Sequence, residues 1–110
     1  MIAICAHEMT GGRRSVYVAH LTVEVDDAAA RWGTGERFED EWDLGPRLIY
    51  CWRLDSGVCV ALNRLEHLDV PGFGFYMRAD DEVPAAMRFV LEEFLNGSGI
   101  ARETVAETAF

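Results

Sequence analysis

Only one stretch of this chain carries a sustained helical period, and that limits the fold more than any other feature does. Between about residues 82 and 96, Met87, Val90, Leu91, Phe94 and Leu95 recur at the three- and four-residue spacing of one helix face, with Val83 and Ala86 extending the stripe. Arg88, Glu92 and Glu93 fall elsewhere on the wheel. Asp80 or Asp81 can cap the start, and Pro84 fits the first turn, where its missing N–H is not needed. Asn96-Gly97-Ser98-Gly99 is a stop. One apolar stripe needs one apolar surface to bury against, and the rest of the chain reads mainly as strands.

Residues 16–25 alternate, with Tyr17, Ala19, Leu21, Val23 and Val25 on one face and Val16, Val18, His20, Thr22 and Glu24 on the other. Residues 1–9 read as a further strand. The turn Thr10-Gly11-Gly12-Arg13-Arg14 is expected to join the two in a hairpin. Asp26 or Asp27 starts a short helical turn through residues 28–32, stopped by Gly33 and Gly35. Residues 48–54 are rich in aromatic and branched side chains, with Leu48, Tyr50, Trp52 and Leu54 on one face. Asp55-Ser56-Gly57 is a hairpin loop and residues 58–62 return. A turn centred on Ser56 places Cys51 opposite Ala61 and Cys59 opposite Arg53, so the two cysteines are diagonal neighbours. Residues 63–72 connect to a strand at 73–77, where Phe73, Phe75 and Met77 face one way. Gly74 faces the other, where a neighbour can approach closely. The tail, residues 102–110, is open between a short helix and a last strand. The expected fold is therefore α+β, one domain, with a small antiparallel sheet of about five strands packed against one long amphipathic helix. Too few helices separate the strands for a parallel βαβ arrangement.

Charge narrows the function classes. Nineteen acidic residues stand against ten basic ones, all arginine, for a formal net charge of -9 over 110 residues. Such a surface repels nucleic-acid backbones and anionic membranes, and it draws in a basic protein partner. The same charge also serves plain solubility. Three cysteines and no secretory leader argue against a disulfide scaffold, and no stretch reaches the length of a membrane span, so the cytoplasm is the expected compartment.

The residues that could carry chemistry are scattered. His7, His20 and His67 have no ligand spacing, and His7-Glu8 would point to opposite sides of a strand. Cys51 and Cys59 read as buried thiols, with no CxxC or nearby histidine to complete a zinc set. Neither Gly33-Thr34-Gly35 nor Gly72-Phe73-Gly74 has the lysine of a phosphate-binding loop. No catalytic, cofactor or metal residues are assigned. The denser signal is acidic: Glu36, Glu39, Asp40, Glu41 and Asp43 surround Phe38 and Trp42. Carboxylates steer, and exposed aromatics anchor, so this stretch is the candidate partner surface, joined by Asp80, Asp81 and Glu82. The competing readings are a solvated loop with its aromatics in the core, and capping of the helix by the second cluster.

The strand at 73–77, the acidic proline-containing linker 80–84, the helix ending Phe94-Leu95-Asn96-Gly97 and the short tail resemble the C-terminal third of the Imm1-like immunity proteins of bacterial polymorphic toxin systems. That group tends to carry a tryptophan in the tail, where this chain has Val105 to Phe110 and none. The resemblance implies a small intracellular α+β inhibitor that binds one cognate toxin, a nuclease or a nucleic-acid deaminase with a basic active site. Immunity proteins vary too widely for site residues to transfer by motif. Other readings of the same residues are a phage anti-CRISPR-type inhibitor, a small homodimeric structural or adaptor protein, and a ligand-binding or catalytic domain with His20 or Tyr50 lining a pocket.

Overall fold

A computed structural model describes residues 1–10, 15–39, 46–66, 69–79 and 84–110. Its strands are β1 (Ile2–Ile4), β2 (Ser15–Leu21), β3 (Glu36–Glu39), β4 (Pro46–Arg53), β5 (Cys59–Leu65), β6 (Phe73–Arg78) and β7 (Val105–Thr108). Its helices are α1 (Ala6–Thr10), α2 (Val25–Trp32) and α3 (Pro84–Ser98), with a 3-10 turn at Arg102–Thr104. The seven strands form one antiparallel sheet in the order β1-β4-β5-β6-β2-β7, and β3 also pairs with β4. The class is α+β, as the single long helix period implied, with two more strands than the alternation revealed, an unexpected helix in α1, and the short turn expected at residues 28–32 extended into α2.

The first face of the sheet carries the main core. Leu48, Tyr50, Trp52 and Leu54 are all buried there, as their shared parity predicts, alongside Val60, Leu62, Phe73, Phe75 and Met77. α3 covers them with the stripe Met87, Val90, Leu91, Phe94 and Leu95. Phe94 touches both Trp52 and Phe75, at 5.2 and 4.7 Å between ring centroids. α2 closes the same face: Ala28 is fully buried, Trp32 packs edge-on to Trp52 at 4.9 Å, and the Tyr50 hydroxyl donates to the Gly33 carbonyl at 2.8 Å. The helix starts at Val25, ahead of the predicted turn, so Asp26 and Asp27 lie inside its first turn. There they face the positive end of the helix dipole.

The β4–β5 hairpin has the register expected from a turn at Ser56: Cys51 pairs with Ala61 and Arg53 with Cys59. β5 runs on to Leu65, three residues into the segment read as connection. Two expectations about the N-terminal third are corrected. Residues 1–9 are not one strand, because the chain leaves the sheet at Cys5 and forms α1, whose Ala6 and Met9 bury on Cys51, Cys59 and Ala61. Nor do β1 and β2 form a hairpin. β1 pairs along β4 and β2 pairs with β6 and β7, on opposite sides of the sheet.

Strict alternation in β2 also fails. Its register with β6 passes from Tyr17↔Tyr76 to Ala19↔Phe75, so Val18 is an extra residue in a bulge. A bulge resets parity. Val16, Ala19 and Leu21 therefore all pack with the first-face core, while Tyr17 and His20 point to the second face. The tail resolves as the 3-10 turn followed by β7, which flanks β2.

Candidate functional site

Part of the predicted acidic stretch is a strand. Residues 36–39 form β3, an edge strand that pairs along the first half of β4, from Glu36↔Ile49 to Glu39↔Pro46. β1 lies on the same edge, along the second half of β4. The three described site residues have different fates. Glu36 is partly spent on structure: its Oε2 accepts the Ala6 N–H at 2.6 Å, holding the start of α1. Phe38 is 43% exposed and points to the second face, where it borders a shallow hollow of about 420 Å³ with Cys5, Ala6, His7 and Ile49. Glu39 is exposed at the end of the strand. Between them, Arg37 is tied to Glu66 at 2.8 Å. Asp40, Glu41, Trp42 and Asp43 lie outside the described residues, as do Asp80, Asp81, Glu82 and His67.

The second face holds a site that the sequence signalled only in fragments. Pairing places side chains in two rows across it: Cys51, Ala61, Tyr76 and Tyr17 in one, Ile49, Asn63, Gly74 and His20 in the other. α1 covers the Cys51 end. Beyond it the sheet is open, and Gly74 leaves a dip in the middle of its row. The Tyr76 ring leans over that dip, so a Cβ on Gly74 would meet its Cε2 at 2.9 Å. This is the close neighbour anticipated for Gly74. A hollow of about 250 Å³ results, with Tyr17, His20, Arg47, Asn63, Arg64 and Tyr76 in its lining. His20 is one of the two residues the pocket reading named. Tyr50, the other, is buried in the first-face core.

No protein-family profile, curated protein or solved structure matches this chain.

Electrostatics separates the cysteines. Burial, reinforced by the nearby Glu36, Cys5 and Cys59 groups, pushes the Cys51 thiol up to about 12, so it stays protonated at neutral pH. Cys5 is exposed, and its Sγ lies 3.5 Å from Glu8 Oε1. Burial also raises the Tyr17 phenol, helped by its hydrogen bond to Glu107 at 3.2 Å. Among the described residues, no three His, Cys, Asp or Glu side chains group in a way that could hold a metal ion. No helix among them is long and apolar enough to cross a membrane.

The structure thus brings Glu36, Phe38 and Glu39 to one sheet edge. It also exposes a hollow assembled from β2, β4, β5, β6 and the chain after β5. Sequence reasoning missed that hollow because its lining residues are far apart in the chain. The usable signals were His20 on the polar side of its strand and Gly74 opposite the aromatic face.

Proposed function

We propose that this protein is an acidic inhibitor of the immunity-protein kind, which binds a basic protein partner in the cytoplasm and blocks its active cleft. The partner class is a toxin with nuclease or nucleic-acid deaminase activity. The observation that carries the reading is Phe38, an aromatic left 43% exposed on an edge strand between Glu36 and Glu39, in a chain of net charge -9. An edge strand keeps one row of backbone N–H and C=O groups unpaired within its own sheet. Carboxylates beside it would pair with the arginines and lysines that a nuclease uses for phosphate, and the aromatic would supply buried area. Field steering from the whole chain would speed the encounter.

The test combines capture with activity. The purified chain is used to recover its partner from the cell that encodes it, and the partner's nucleic-acid cleavage or deamination is assayed with and without the chain. Replacing Glu39, Asp40, Glu41 and Asp43 together by lysine is expected to weaken binding at least about tenfold and to flatten its salt dependence. Unchanged affinity and salt dependence would sink the reading. A stable dimer in sedimentation, with no effect on any nucleic-acid-modifying partner, would favour the homodimeric adaptor reading instead.

A further inference from the structure

We propose that the open part of the second face is a binding site for a small oxyanion, a carboxylate or a phosphate, carried on a short aromatic or apolar body. The inference does not depend on the acidic edge. It rests first on charge. Among the described residues Arg47, Arg64 and His20 line this hollow and no Asp or Glu does; Glu107, paired with His20 and accepting from the Tyr17 hydroxyl at 3.2 Å, stands at its margin. An arginine-lined hollow in a strongly acidic protein favours an anion that most of the surface would repel.

The second support is the direction of the hydrogen-bonding groups. Arg64 is held by carbonyl oxygens, donating through Nη1 to Val70 at 2.5 Å and to Gly72 at 2.9 Å. Those contacts fix the guanidinium without neutralising it, and its other N–H groups remain as donors. The His20 Nε2 lies 2.6 Å from the Pro71 carbonyl, an acceptor, so that nitrogen carries the proton. Asn63 lines the hollow with its Oδ1 buried and without a hydrogen-bond partner, which leaves the Nδ2 end of the amide to meet a ligand. Guanidinium, amide and the Tyr76 hydroxyl form a set dominated by donors, and a carboxylate or phosphate is the acceptor-rich ligand that matches it.

Shape supplies the body of the ligand. The hollow shares Arg47, Asn63 and Tyr76 with a neighbouring one of about 230 Å³ that ends on Met9, Cys51 and Ala61. Tyr17 and Tyr76 meet edge to face at 5.6 Å and give the floor an aromatic surface. A single ring attached to the anion spans from the donors toward the apolar end.

Backbone-amide NMR of the full chain tests this with three probes: benzoate, phenyl phosphate, and benzamide as the uncharged analogue of benzoate. Benzoate or phenyl phosphate is expected to give saturable shifts at Tyr17, Asn63, Gly72 and Gly74, and the tighter of the two identifies the anion. Benzamide should bind at least tenfold more weakly. Arg64→Gln should cost at least tenfold in affinity. Because Arg64 also holds the chain at Val70 and Gly72, Asn63→Leu serves as the second variant and is expected to weaken binding several-fold in a protein with an unchanged spectrum elsewhere. No saturable shifts, benzamide binding as tightly as benzoate, or unchanged affinity in both variants would overturn the proposal.

Discussion

Gly72 shows how much one position can carry. It has φ +88, and a Cβ there would lie 2.1 Å from the Leu21 carbonyl oxygen and 2.9 Å from the Thr22 Cα. The chain crosses the end of β2 at this point before entering β6, and backbone cannot yield as a flexible side chain can. Gly57 has a similar φ of +93 in the β4–β5 turn, with nothing within 4 Å of the added atom. The two glycines therefore separate backbone strain from collision. Gly57→Ala should cost about 1 kcal/mol, the left-handed penalty alone. Gly72→Ala should cost about 2–4 kcal/mol, since overpacking adds to that penalty. Urea unfolding of both variants measures the difference, and equal costs would mean that the crossing is looser than described. Pro71-Gly72 is visible in the sequence as the end of a connection. What it crosses is not, because Leu21 is brought there by strand pairing.

At the level of elements, the parts recovered best are those whose burial follows a local period. α3 buries Met87, Val90, Leu91, Phe94 and Leu95, although Ala86, expected to extend that stripe, is exposed, and β4 with the residue after it buries the four predicted core residues Leu48, Tyr50, Trp52 and Leu54. The parts missed are those whose structure is imposed by a neighbour. β3 has no apolar alternation of its own and is a strand because β4 offers it an edge. α1 forms where extended chain was expected because Glu36 holds its first N–H and the second face buries Ala6 and Met9. β7 is a further case. It pairs with β2, Ala109 donates to the Val18 carbonyl at 2.8 Å, and both Val105 and Phe110 pack against the core. Removing residues 105–110 should lower stability by about 2–4 kcal/mol, from two half-buried side chains and the lost pairing. It should also speed amide exchange along β2, which becomes an uncovered edge. Urea unfolding and hydrogen exchange check this; an unchanged midpoint with β2 still protected would show that β7 is only laid on the surface.

For the whole molecule, charge is the dominant global property. The ion pairs described are exposed or half-exposed, such as Arg31–Asp27 at 3.2 Å, Arg37–Glu66 at 2.8 Å and Arg53–Glu8 at 3.5 Å. Each is worth about 0–1 kcal/mol. Against them stands the self-repulsion of a net charge of -9. Salt screens both, and the repulsion is the longer-ranged sum. Raising sodium chloride from about 10 mM to about 150 mM should therefore raise Tm, by roughly a few degrees for a domain of this size. A fall in Tm would mean that the surface pairs outweigh the repulsion. The same screening should weaken the partner binding proposed for the acidic edge, so on that proposal stability and affinity respond to salt in opposite directions.

The sequence by itself determined what short-range physics controls. The α3 stripe, the buried face of β4, the hairpin register around Ser56 and the acidic surface all follow from residue spacing and charge within one segment. Of the acidic stretch, Glu36, Phe38 and Glu39 were legible as a candidate surface. That Glu36 is drawn into holding α1 was not. Only the tertiary structure decided the strand order, the bulge at Val18 that turns Tyr17 and His20 to the second face, and the sharing of one β4 edge by β1 and β3. The open hollow belongs to that second group. Its lining residues come from strands far apart in the chain, and no local period records that Asn63, Gly74 and His20 will lie side by side. Pairing between distant segments is chosen by the total burial it allows, and that quantity exists only once the whole sheet is assembled.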